Sequence, residues 1–119
     1  MTSVYKTINT MKQTDNERLA AYWTQAQPAV AAFVGSVVPD FHQAEEILQR
    51  VSVVLVRKFL EYDPRHSFIA WAICVAKFEI LYFRRQHATD RHFFDTEIIE
   101  KIAASHERLH LSIKANAMP

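Results

Sequence analysis

Gly35 is the one glycine in the 119-residue chain. Tight hairpins, strand bulges, barrel corners and phosphate-cradling loops all draw on the backbone freedom of glycine. A chain with a single glycine builds few of them, which predicts an all-α domain with few tight turns. Half of the residues are apolar and 12% are aromatic, a globular composition rather than a disordered one. The length suits one domain with a real core.

The formal net charge of +1 says nothing about partners by itself, so the distribution of charge matters instead. Cys74 is the only cysteine, which excludes an intrachain disulfide and the paired thiolates of a zinc site. It reads as a small packed hydrophobe on a helix. No apolar run approaches the ~18 residues of a membrane span, and the N-terminus lacks a signal-peptide core. The expected compartment is the cytoplasm.

The pattern along the chain predicts a compact bundle of about four helices. Residues 1–14 are polar and aperiodic and read as a flexible arm; 15–111 form the helical domain; 112–119 read as a linker or tail. Leu19, Tyr22, Trp23, Ala26, Val30, Phe33, Val34 and Val37 recur at helical spacing, and Pro28 is expected to kink or divide that first helix. Asp40 is placed to cap a second helix, with Ala44, Ile47, Leu48, Val51, Leu55 and Phe59 as its core stripe and Pro64 beyond its end. Ser67 is placed to cap a third, running to about Gln86, with Phe68, Trp71, Ala72, Val75, Ala76, Tyr82 and Phe83 as its inner stripe. Ile69, Ile73, Ile80 and Leu81 cover much of its remainder, which predicts a central helix touched from several sides. Asp95 is placed to cap a fourth, with Phe94 and Ile99 as a hydrophobic staple and Ile98, Ile99, Ile102 and Leu109 inward.

Two surfaces exceed what folding requires. Opposite the core stripe of the second helix lie Glu45, Gln49, Val53 and Val56, flanked by Glu46 and Arg57. Outward valines beside acids and amides suit a partner-binding face, although scattered surface valines are also ordinary. The second surface gathers Arg84, Arg85, His87, Arg91 and His92, with Lys77 two turns upstream and Tyr82, Phe83, Phe93 and Phe94 bordering it. Cations neutralise phosphates and rings accept unstacked bases, a mixture suited to single-stranded DNA. The same residues would also complement a helix dipole and anchor a core. His106 and His110 share a helix face at a usable ligand spacing, but no third ligand is evident and they read as surface histidines. No nucleophile–base arrangement is readable, which points away from an enzyme.

The order of the pieces carries a resemblance. Gln43-Ala-Glu-Glu-Ile-Leu-Gln49 resembles the D-A-E-D-L-V-Q signature of extracytoplasmic-function sigma factors. Phe59-Leu-Glu-Tyr-Asp-Pro-Arg-His-Ser-Phe68 is similar to the family's F-x-x-F-D-P-x-x-S-F junction. Phe68-Ile-Ala-Trp71-Ala-Ile-Cys-Val-Ala76-Lys77 is similar to F-x-A-W-L-x-x-I-A-R, and Tyr82-Phe-Arg-Arg85 to the closing Y-x-R-R. The resemblance spans about residues 18 to 109 and implies region two of such a factor, the part that binds core RNA polymerase and opens promoters.

By position, the resemblance assigns Glu45, Glu46, Gln49 and Val53 to the coiled-coil clamp helices of the polymerase β′ subunit. It assigns Lys77, Arg84 and Arg85 to phosphates of the −10 element non-template strand. Gln86, His87, Arg91, His92 and Phe93 fall in the loop to which it assigns base reading. It adds an anti-sigma factor to the expected partners and calls for no cofactor and no membrane. Arg50 and Ser52 depart from the acidic and aromatic residues of the family pattern, and Phe78 stands where the family has Asn. The helix-turn-helix that reads the −35 element in the family has no counterpart in this sequence. The rival expectation is a helical interaction adaptor that uses the Val53/Val56 face without touching DNA.

Overall fold

A computed structural model describes residues 12–87 and 95–117, with side chains through residue 110. Its elements are α1 (Gln13–Val37), α2 (Phe41–Lys58), a single 3-10 turn (Phe59–Glu61), α3 (Phe68–Gln86) and α4 (Thr96–Ala117). No strand occurs among the described residues, and none of them has a positive φ. Helices α1, α2 and α4 all pack on α3, which is the central element that its nearly all-round apolar sequence requires.

The helix starts follow from local chemistry. Asp40 accepts the Gln43 backbone N–H at 2.9 Å, Ser67 accepts that of Ala70 at 3.2 Å, and Asp95 accepts that of Ile98 at 2.9 Å. Each satisfies a donor that the first turn of a helix leaves without a partner. Phe94, the other half of the expected staple on α4, and the arm through residue 11 lie outside the described residues.

Side chains from all four helices meet in one core. Ala26, Val30, Phe33, Val34 and Val37 come from α1, and Ile47, Val51 and Leu55 from α2; Ala72, Ile73, Ala76, Ile80 and Phe83 come from α3, and Ile99 and Ala103 from α4. Three expectations are corrected here. Pro28 does not divide the first helix: α1 is continuous, because Pro28 and Thr24 are both exposed. The hydrogen bond that proline cannot donate to the Thr24 carbonyl is missing on the solvent side, while the buried side holds. Tyr82 is not a core residue but 45% exposed; α3 turns Ile73 and Ile80 inward instead. Ile98 and Leu109 of α4 are exposed, and the helix packs through Ile99 and Ala103, with Ile102 partly buried. Helix α4 runs to Ala117.

At the other end of the core an aromatic cluster ties α1 to the α2–α3 connection. Tyr22 stacks on Phe68 at 5.0 Å between centroids, and Tyr62 stacks on Trp71 at 5.1 Å and meets Phe68 edge-on at 5.4 Å. Trp71 therefore packs, as its position in the inner stripe predicts. The Tyr62 hydroxyl donates to the His66 carbonyl, and burial, aided by Tyr22 and Asp63, pushes the phenol up to about 12. Next to it Asp63 and Arg65 bracket Pro64 and pair through two oxygens, with Nη2–Oδ2 at 2.7 Å and Nε–Oδ1 at 3.1 Å.

Those hydrogen bonds from Arg65, side chain first and backbone second, hold the Asp63 carboxyl at about 2, down from 3.8. A depressed carboxyl favours the folded state above its unfolded pKa, and that advantage disappears as pH falls through the folded one. Thermal melts of the wild type against Asp63→Asn should therefore converge as pH drops from about 3.8 to about 2. A gap that stays constant across that window would show that the carboxylate adds nothing.

Candidate nucleic-acid and partner interfaces

Helix α2 presents a crest with a groove on either side. Toward α1, Glu45, Leu48, Gln49 and Ser52 line a groove of about 240 Å³ with Trp23 and Gln27. Toward α3, Glu46, Gln49, Arg50, Val53, Val54 and Arg57 line one of about 430 Å³ with Glu79. Glu45, on the outward face, and Glu46, flanking it, lie in different grooves, and Gln49 on the crest borders both. Successive residues on a helix are 100° apart, so two neighbouring acids straddle a crest rather than share a flank. Val53 and Val56 point outward, 47% and 52% exposed, as read from the helical spacing. Leu60, four residues after Val56, is exposed too and prolongs that apolar stripe. Its place beyond the last turn of α2 hid it from a purely helical count.

Arg50 links the α2 surface to α3. Its guanidinium lies 3.5 Å from a Glu46 oxygen, 5.7 Å from the Tyr82 ring centroid and 5.6 Å from that of Phe83. The pair with Glu46 is exposed and contributes little. The ring contacts hold the cation at the seam between the helices.

The last three turns of α3 collect cations and rings. The Lys77 ammonium sits 4.8 Å from the Phe78 ring centroid. Phe78, 60% exposed, and Tyr82, 45% exposed, are four residues apart and so present two rings along one stripe. Arg85, also exposed, continues it. The sequence reads Tyr82 both as part of a core stripe and as a ring bordering the cationic cluster, whereas Phe78 reads there only as a departure from a pattern. Arg84 donates to the Thr96 hydroxyl at 3.0 Å and so reaches across to the start of α4. Gln86 is exposed, whereas His87 closes the helix: its backbone N–H bonds the Phe83 and Arg84 carbonyls, and its ring stacks on Phe83 at 4.1 Å. The structure thus places Arg84, Arg85 and Gln86 at the end of α3 and Lys77 near its midpoint. Arg91, His92 and Phe93 lie outside the described residues.

Cys74, His106 and His110 are each partly buried. Burial pushes the Cys74 thiol up, with Glu107 adding to the effect. His106 packs its ring 5.4 Å from Phe33, and burial, then His106, pulls His110 down. Among the described residues no group of three or more His, Cys, Asp or Glu could hold a metal ion, and no helix is long and apolar enough to cross a membrane.

The described residues thus form an all-α unit in which the cationic, ring-bearing side of α3 lies beside the acid-and-valine face of α2. Residues 22–89, more than half of the chain, match the family model of sigma-70 region 2, and the chain belongs to that family. The match takes in the grooves of α2 and all of α3. Domains of this family serve sigma factors in RNA polymerase binding and promoter recognition, which are binding functions rather than catalysis. No curated protein and no solved structure matches the chain.

Proposed function

We propose that this domain is region two of a sigma factor of the extracytoplasmic-function type, working in the cytoplasm. On this reading α2 docks on the β′ clamp helices through Glu45, Glu46, Gln49 and Val53. The end of α3 holds the non-template strand of the −10 element as the duplex opens. Lys77, Arg84 and Arg85 neutralise phosphates, and the segment Gln86 to Phe93 takes the bases. Stacking is worth on the order of 1–3 kcal/mol per captured base, enough to bias a strained duplex toward opening.

The single observation that carries the reading is the stripe formed by Phe78, Tyr82 and Arg85 beside Lys77, where exposed rings and cations alternate on one helix. Folding does not call for two solvent-facing rings on the central helix. The exposed Val53, Val56 and Leu60 stripe favours a second reading, a helical adaptor that binds protein alone.

Binding of the chain to a purified β′ clamp-helix fragment tests the first half. Binding at about micromolar strength or better is expected, and Glu46→Arg should weaken it at least tenfold. A −10 non-template oligonucleotide tests the second half. Clamp binding without any affinity for that oligonucleotide would favour the adaptor, and binding of neither would remove the sigma reading for this chain.

A further inference from the structure

The groove between α1 and α2 differs in charge from its counterpart beside α3. From Leu19 to Val37, α1 contains no Asp, Glu, Lys or Arg. Glu45 is therefore the one charged residue among those that line this groove. It is exposed and takes part in none of the ion pairs among the described residues. Glu46, by contrast, already has Arg50 at 3.5 Å, and Arg57 lines the same groove. Charge complementarity thus singles out the α1 flank of α2 as the one that accepts a cation.

The other lining residues specify which cation. Trp23 is half-buried and packed against the core, so its indole is held in place with part of its surface facing the groove. Gln27 and Gln49 bring amide carbonyls that accept N–H groups, and Ser52 adds a hydroxyl. A planar guanidinium stacks on an indole face while its N–H fork engages a carboxylate. An ammonium offers neither the plane nor the fork. An apolar occupant would strip water from Glu45 without replacing it.

We infer that the groove lined by Trp23, Gln27, Glu45 and Gln49 takes an arginine side chain from the polymerase surface on which α2 docks. This rests on the clamp reading above and extends the contact from α2 onto α1, to Trp23 and Gln27.

The chain has two tryptophans, Trp23 and Trp71, so Trp71→Phe leaves Trp23 as sole reporter and keeps an aromatic ring in the Tyr62–Phe68 cluster. A tryptophan-free β′ clamp-helix fragment is titrated into this variant, with calorimetry measuring binding independently. The expected result is a change in Trp23 emission and loss of its quenching by acrylamide, saturating with the calorimetric isotherm. Replacing the fragment's arginines with lysine should abolish the Trp23 response. Gln27→Lys alters only an exposed position and should weaken binding about tenfold, because like charges then face each other. Calorimetric binding with unchanged Trp23 emission and quenching would overturn the inference and leave the clamp reading standing. So would undiminished binding by Gln27→Lys. Absence of binding by the wild type would overturn both.

Discussion

Replacing Lys77, Arg84 and Arg85 together by alanine is expected to lower affinity for a −10 non-template oligonucleotide about a hundredfold at 0.1 M salt. The figure follows from counterion release. Each phosphate neutralised on a single strand adds about 0.7 to the slope of log K against log salt, so removing all three cations should flatten that slope by about 2. Extrapolated from 1 M, where this term vanishes, the same difference amounts to about two decades at 0.1 M. The slope is the more telling readout, since a folding defect would lower the active fraction without changing salt dependence. Arg65→Ala serves as the control: it lies before the first turn of α3, roughly 18 Å along the axis from Lys77, the nearest of the three. An unchanged slope in the triple variant would remove the α3 end from the DNA contact.

Phe83→Ala should be the most damaging single change to stability, by about 3–5 kcal/mol. Phe83 is 1% exposed, on the central helix that all the others pack against. Its ring also carries the His87 ring at 4.1 Å and lies 5.6 Å from the Arg50 guanidinium. Truncation would therefore open a cavity and loosen the helix end that presents Arg84 and Arg85. Denaturant unfolding should show the midpoint falling while the m-value is retained. Phe78→Ala, which removes an exposed ring from the same helix, should change stability by less than about 0.5 kcal/mol. Equal losses from the two substitutions would mean that the inner and outer sides of α3 are misassigned.

What is legible in the sequence, and what is not, divides along a physical line. Features set within one or two turns are legible. Asp40, Ser67 and Asp95 cap where their side-chain chemistry places them, and α3 spans Phe68–Gln86 as its cap and last ring indicate. Features set by a neighbouring helix are not. An almost wholly apolar α3 offers several equivalent stripes, and only the positions of α1, α2 and α4 decide that Ile80 turns in and Tyr82 out. On α4 the small Ala103 allows close approach and packs inward, while the larger Leu109 is left exposed. The candidate site behaves the same way. Helical spacing identifies Glu45, Glu46, Gln49 and Val53 as outward residues, yet their division between two grooves depends on where α1 and α3 lie against α2.

The unbroken passage of α1 through Pro28 has a consequence for how the molecule breathes. The ladder of amide protons is interrupted at Pro28, so the turns before and after it are joined by packing rather than by a continuous hydrogen-bond chain. The packing is uneven. Val30, Phe33, Val34 and Val37 are sealed in the core after the proline, whereas Leu19 and Ala26 are the buried residues before it. The turns before the proline are held mainly through Leu19, Tyr22 and Trp23, and their amides are expected to exchange with solvent before those of the C-terminal turns. Trp23 and Gln27 sit on the near side of that break, so a partner that clamps them to α2 braces across a gap the hydrogen-bond ladder leaves open.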